Sequence, residues 1–425
     1  MSVTLTNDQK NAMALFTAFL LGSDRFMVIS GPAGVGKTTV LKHMLASIKN
    51  PNNIVTLMGG DPIRHIEATA TTNKAAEVLK DALGVKEVKT VHSFLNLSLK
   101  NDFNTGKTKL IRGKDFKILR DTLLVIDECS MIDLQLLQLI KESTINCKVI
   151  FMGDRCQMAP VFEDESQVFA LPGQLAEIEE PVRNRDVPEL GAVCTQLRTT
   201  VKTGVFTPVV PVAGAIELLS PEEMQAHLDQ AFVKEEGLNK RILGFSNNRV
   251  QTYNAYIREA RGLPPEYQAG ETVISNSVVI DKNDGPKTRI EQVIQVHGTG
   301  RTELDPFLLK FGWEIPVYSV NTSVGTLVQP VDFAQIDWAL KQLARARDWA
   351  NYFHIKQSYA DLRMPQAATV YKAQGSTYDT VYIDLGDIGN CKNPAQAARM
   401  LYVAFSRAAK KVYLYGELPK RYQGI

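Results

Sequence analysis

Short apolar runs bounded by turn residues alternate with helical stripes over the first 160 residues of the chain. Phe26-Met27-Val28-Ile29 is such a run, ended by a glycine-rich turn. A helix is predicted from Thr38, because Leu41, Met44, Leu45 and Ile48 recur at three- and four-residue spacing. Leu123-Leu124-Val125-Ile126 and the run from Lys148 to Met152 repeat the strand pattern, and Ala12 to Leu21 reads as an amphipathic helix. Strands that alternate with helices predict a parallel α/β sheet with its site at the carboxyl ends of the strands. Between these elements, residues 95–111 (LNLSLKNDFNTGKTKLI) alternate apolar and polar around Asn104-Thr105-Gly106, which predicts an inserted β-hairpin.

A second α/β segment begins at Ile242 to Phe245, with Ser246-Asn247-Asn248 as the cap of a helix reaching Arg261. It resumes in strands at Thr380 to Leu385 and Val412 to Tyr415. The texture changes from about Gly262 to Pro365. Gly298-Thr299-Gly300, Val317 to Val320 and Gly325 to Val328 predict short strands and turns. Phe333, Ile336, Leu340, Leu343 and Arg347 then fall on one stripe of a long helix. The expected division is a first α/β domain over 1–180, with the hairpin at about 95–115, and a second over 181–261 and 366–425. Residues 262–365 form an inserted small β-rich domain with a helical arm.

Composition adds boundaries. At 425 residues the chain can hold more than one domain, and 44% hydrophobic with 22% charged residues is ordinary for a soluble protein. With 48 basic against 46 acidic residues, any nucleic acid groove must be a local feature. Cys129, Cys147, Cys156, Cys194 and Cys391 form no CxxC pair, and an odd, scattered set implies reduced thiols in a cytoplasmic setting. MSVTLTNDQKNA has no signal-peptide pattern, and the apolar stretch after it is too short to span a bilayer.

The strongest chemical signal is GPAGVGKTT: Gly31, Pro32, Ala33, Gly34, Val35, Gly36, Lys37, Thr38 and Thr39. Between a strand and a helix, such a loop cradles phosphates with backbone N–H groups and the helix N-terminus. Lys37 is expected to reach the β- and γ-phosphates of ATP, and the Thr38 hydroxyl to meet Mg²⁺. LLVIDECSM ends an apolar strand in Asp127 and Glu128, one carboxylate for the metal and one to polarise the attacking water. A third strand leads to Gly153-Asp154 and Gln157, a candidate γ-phosphate sensor. Phosphoryl transfer also needs positive charge where negative charge develops. Arg183 in EEPVRNRD, with Arg185 as its competitor, and Arg407 in LYVAFSRAAKK are the candidates; each also reads as an ordinary surface arginine. A P-loop kinase or transferase would share the loop and an acid but would not require KAQG and YVAFSRAAKK. A regulatory subunit that merely binds ATP would not require Lys37, Asp127 and Glu128 together.

The ordered set resembles the superfamily 1 helicases: QKNA with Gln9, GPAGVGKT, TATTNKAA, TVHSF, DECSM, GDRCQMAPV, VRN, TVYKAQGSTYD and YVAFSRA. DECSM, QMAPV and KAQG resemble the 1B branch, which includes RecD-like enzymes and the phage Dda type. The resemblance implies two RecA-like P-loop ATPase domains, with the hairpin as a pin that splits the duplex and the β-rich insertion as an SH3-like domain. It implies MgATP bound by Lys37, Thr38 and Asp127, with Gln9 reading the adenine and Glu128 activating water. Gln157, Arg183 and Arg407 would sense the γ-phosphate, with Gly375 near it. Thr72, His92, Phe94, Thr369 and Lys372 would touch the nucleic acid strand, and Phe103 at the hairpin tip would act as a wedge. Single-stranded DNA and duplex junctions are the implied partners, met by a monomer working 5′→3′ in the cytoplasm of a bacterium or phage-infected cell beside replication or recombination proteins. Tyr371 stands where the family usually has a histidine, and Val182-Arg183-Asn184 matches only approximately.

Overall fold

A computed structural model describes residues 5–49, 57, 63, 65–160, 163–180, 187–235, 237, 239–281 and 285–424. The chain forms two compact units, one from residues 1–98, 110–219 and 373–425, the other from residues 99–109 and 220–372.

The first unit is built on a six-stranded, fully parallel sheet. Its strands run in the order Gln174–Glu177, Phe26–Ser30, Lys148–Gly153, Thr122–Asp127, His65–Ala70, Lys89–Thr90. The apolar runs are continuous because the sheet is covered on both faces. Met27, Ile29, Leu123, Val125, Ile150 and Met152 point into a core with Phe16, Phe19, Leu41 and Met44. Their chain neighbours Phe26, Val28, Leu124, Ile126, Val149 and Phe151 point the other way, against Leu136, Leu137 and Ile140. Phe16 and Phe19 anchor the Asn7–Leu21 helix, each fully buried side chain stabilising by about 1.5–3 kcal/mol. Thr6 and Gln9 close that helix's N-terminus with a reciprocal capping box. In the same unit, Ala408–Tyr415 pairs in parallel with both Ile216–Leu219 and Tyr378–Asp384.

The second unit contains a parallel pair, Lys240–Gly244 with Ala367–Thr369. Ser246 caps the following Asn247–Ala260 helix by accepting from the Arg249 amide. An antiparallel sheet of six strands fills the interval whose sequence changes texture. Pro316–Thr322 and Gly325–Pro330 form its hairpin, and a bulge falls between Val296 and Gly298 in Val293–Thr299. The helical stripe needs a correction. The helix spans Phe333–Arg345, burying Ile336, Ala339 and Leu343, and a separate helix follows over Trp349–Ser358. Arg347 lies between them at φ 56°, and the Asp348 amide donates back to the Leu343 carbonyl at 2.9 Å, a left-handed stop that usually carries glycine.

The hairpin is present, with strands Leu97–Asn101 and Thr108–Arg112. Asp102 shapes its turn by accepting from the amides of Asn104 at 2.9 Å and Thr105 at 3.3 Å. The tip does not stand free. Phe103 meets the Phe353 ring edge-on at 5.7 Å, and Gly106 lies against Trp349. A β-carbon on Gly106 would sit 2.4 Å from that indole, and its φ of 69° disfavours other residues too.

Candidate functional site

The Phe26–Ser30 strand delivers Gly31–Thr39 to the carboxyl edge of the first sheet, and the Lys37–Lys49 helix leaves from it. The loop turns through Gly34 at φ 87° and Gly36 at φ 78°. A side chain on Gly36 would also strike Gln9, whose Nε2 lies 2.7 Å from the β-carbon position. The Lys37 ammonium donates to the carbonyls of Gly31 at 2.7 Å and Pro32 at 2.9 Å, which holds it over the loop. Gln9 is buried against the same loop and donates to the Val35 carbonyl at 2.8 Å.

The Thr122–Asp127 strand ends one place along the sheet. Asp127 accepts from the Glu128 amide at 2.8 Å, and Glu128 occupies the left-handed region at φ 54°. That conformation is costly for a residue with a β-carbon and turns the glutamate away from the strand. Burial, reinforced by the neighbouring Glu128 charge, pushes the Asp127 carboxyl up to about 6, with Lys37 opposing. Two protein oxygens, Thr38 hydroxyl and Asp127 carboxylate, beside a phosphate loop suit Mg²⁺, which is typically held by one or two protein groups plus substrate phosphates. Among the described residues no cluster of three or more His, Cys, Asp or Glu side chains forms a metal site of its own.

The late motifs meet this edge within the same unit. Gln374 donates to the Ser130 hydroxyl at 3.1 Å, joining KAQG to DECSM. A β-carbon on Gly375 would lie 4.0 Å from Glu128 Oε1. Gln157 is buried, and its side-chain oxygen has no protein hydrogen-bond partner among the described residues. Arg407 is 3% exposed, so it is no surface arginine. Its guanidinium donates to the carbonyls of Ser376 and Val403, both at 3.2 Å, and to the Ser406 hydroxyl at 2.8 Å. Arg183 and Arg185 fall in 181–186, outside the described residues.

The strand-contact candidates divide between the units. In the first, Thr72 caps the Asn73–Leu83 helix by accepting from the Ala75 amide at 3.2 Å, a structural role of its own. His92 and Phe94 lie on the short Val91–Phe94 helix after the edge strand. Burial pulls the His92 imidazole down against the pull of Asp133. The Phe94 ring is partly buried, with the Lys117 ammonium 3.9 Å from its centre. In the second unit, Thr369 is buried opposite Gly244, and Lys372 pairs with Glu291 at 3.6 Å.

Residues 4–205 match a family model described as an AAA domain, and residues 366–415 match a UvrD-like helicase C-terminal domain. The ATP-dependent DNA helicase dda of Enterobacteria phage T4 is 22% identical over 96% of this chain and 98% of its own. The RecBCD enzyme subunit RecD of Buchnera aphidicola is 29% identical over 37% of this chain and 27% of its own. The Pif1 helicase from Bacteroides, solved with ADP-AlF3 and single-stranded DNA, superposes with a TM-score of 0.53, covering 100% of this chain and 95% of that one at 16% identity. The chain is thus similar over nearly its whole length to an ATP-dependent DNA helicase, and its fold matches that of a Pif1 helicase. Its fold is accordingly mixed α/β with two RecA-like domains.

Sequence reasoning missed the side chains that brace the GDRCQ loop. Asp154, fully buried, accepts from the Tyr402 hydroxyl at 2.5 Å and lies 3.8 Å from Arg198, which also reaches Glu179 at 2.8 Å. Arg399 donates to the carbonyls of Arg155 at 2.5 Å and Gln157 at 2.6 Å. Arg399 and Tyr402 are three residues apart on the Pro394–Ser406 helix, hence on one face. That spacing beside YVAFSRA was the available signal.

Proposed function

We propose that the chain hydrolyses ATP to translocate 5′→3′ on single-stranded DNA and to unwind duplex DNA. The observation that carries this reading is the convergence at one sheet edge: Lys37 on its loop, Asp127 with Glu128, and Gly375 beside the Glu128 carboxylate. A phosphate loop alone fits many chemistries. A loop coupled to KAQG and YVAFSRA motifs fits a motor that must sense the γ-phosphate.

Lys37 and the loop amides neutralise the transferring phosphate, while Thr38 and Asp127 would hold Mg²⁺, which when bound would supply Lewis-acid charge to the phosphates. Glu128 takes the proton of the attacking water. Gln157, whose side-chain oxygen is buried and open to a donor, orients that water. Arg407 and Arg183 act as arginine fingers, and Gln9 contacts the adenine edge. Thr72, His92, Phe94, Thr369 and Lys372 grip the strand, and Phe103 at the hairpin tip meets the duplex junction. The functional division is 1–180, then 181–261 with 366–425, then the inserted 262–365 as an SH3-like module. We read the enzyme as a cytoplasmic monomer; among the described residues no helix is long and apolar enough to cross a membrane.

An ATPase titration with single-stranded DNA, single-stranded RNA and duplex side by side tests the reading. Stimulation by single-stranded DNA, with displacement of a strand from a forked substrate, is the expected result. ATP turnover indifferent to every nucleic acid overturns it.

A further inference from the structure

Four charged residues from separate parts of the second unit come together outside the ATP site. Arg241, near the start of the Lys240–Gly244 strand, is buried. Arg363 and Lys372 flank the Ala367–Thr369 strand. Glu291 sits on the turn before Val293–Thr299, its amide donating to the Ser275 carbonyl at 2.9 Å. Its carboxylate lies 3.6 Å from the Lys372 ammonium, with the two side chains 31% and 24% exposed. Arg241 and Arg363 act on the same carboxylate, both favouring its charged form. Arg363 is also held by Asp361 through contacts of 2.8 and 2.7 Å.

The backbone does not ask for glutamate here. At φ 61° residue 291 occupies the left-handed region, which glycine or asparagine fills with less strain. What glutamate supplies is one negative charge beside three cations, of which Arg363 is already paired with Asp361. Burial pushes the Glu291 carboxyl up and the Lys372 ammonium down, so desolvation outweighs their mutual attraction. A pair in that balance is suited to exchange its anion for another. A phosphodiester brings the same single charge and two non-bridging oxygens, and guanidinium and ammonium groups bind it in the same way as a carboxylate.

We propose that Arg241, Arg363 and Lys372 form a phosphate subsite of the single-strand track, and that Glu291 fills it as a built-in phosphate mimic which the incoming DNA phosphate displaces. The proposal rests on the reading of Lys372 as a strand-binding residue and adds two arginines and a competitor to it. The carboxylate occupies the subsite while no strand is bound and sets a threshold that a strand must overcome.

Fluorescence anisotropy with labelled oligo-dT, at one fixed salt concentration, tests it on the full chain. Glu291→Gln should tighten binding roughly tenfold, within the range for directly coupled charges, and Glu291→Asn should do the same with a residue the turn accommodates. The DNA concentration giving half-maximal ATPase should fall by the same factor with kcat unchanged. Arg241→Gln should weaken binding, and in a Lys372→Ala background Glu291→Gln should tighten it by less. If Lys372→Ala weakens binding while both Glu291 variants leave it unchanged or weaker, the mimic is overturned and the strand reading stands. If Lys372→Ala leaves binding unchanged, the strand reading of Lys372 falls and the subsite with it.

Discussion

At the scale of single residues, the two adjacent carboxylates are separated in role by backbone geometry. Asp127 ends its strand and accepts from the next amide, whereas the left-handed turn at Glu128 sends that carboxylate toward Gly375. Glu128→Gln should therefore preserve binding of nucleotide and single strand while steady-state ATPase falls by at least ~10²-fold, the general-base magnitude; undiminished turnover would remove Glu128 from the chemistry. Asp127 makes the opposite trade. Its folded carboxyl, pushed up from 3.8 to about 6 by burial and by Glu128, holds more protons than in the unfolded chain. Stability from this group is thus greatest below 3.8 and is lost as pH climbs to about 6. Asp127→Asn should raise the stability of the protein in EDTA at pH 7.5 by about 1–3 kcal/mol, with a gain that shrinks toward pH 4, while MgATP hydrolysis is lost. Thermal melts across that range check it, and a less stable variant at pH 7.5 contradicts it. Arg407, buried and tied to Ser376, Val403 and Ser406, should lower kcat by about 10²-fold or more as alanine, with little change in nucleotide affinity. Unchanged hydrolysis in a folded variant would make it a structural arginine.

Among the elements, the hairpin carries the most specific expectation. Its turn is shaped by Asp102, and its tip rests through Phe103 and Gly106 on the Trp349–Ser358 helix. The sequence reading gives Phe103 no structural reason to be aromatic, and the Phe353 contact supplies one, although the ring stays 58% exposed. Phe103→Ala should leave ATPase stimulated by single-stranded DNA intact and reduce unwinding of a fork. Equal losses in both assays would assign Phe103 to the track or the fold. The central strands were legible because a sheet covered on both faces leaves unbroken apolar runs such as Phe26 to Ile29 and Leu123 to Ile126. The phosphate loop and DECSM were legible because their chemistry is local in sequence. The stop at Arg347 was hidden because an arginine occupies a left-handed position that glycine usually marks. Arg198, Arg399 and Tyr402 were hidden because their partners, Asp154 and the GDRCQ carbonyls, lie more than forty residues away in sequence. The burial of Arg407 was likewise a tertiary fact.

For the whole molecule the open quantity is direction. A net charge of +2 gives no overall field to orient a polyanion, so polarity must come from local contacts that fix the strand's orientation. Translocation then requires two grips whose affinities for the strand change in opposite senses with nucleotide state; equal affinity in both states produces no net movement. In the proposed cycle ATP binding would draw the motor's domains together and hydrolysis would release them, so that each turnover would advance one grip past the other. Which end leads is set by which grip tightens on closure, and DECSM, GDRCQMAPV and KAQG resemble the 1B branch. The expected direction is 5′→3′. Streptavidin bound to a biotin at either end of an oligonucleotide reads it out. A 5′→3′ motor pushes toward the 3′ end, so ATP-dependent displacement should be faster there, while Glu128→Gln should displace from neither end. Displacement from the 5′ end alone would mean that the grip tightening on closure is the other one, and would reverse the proposed polarity while leaving the ATP site as described.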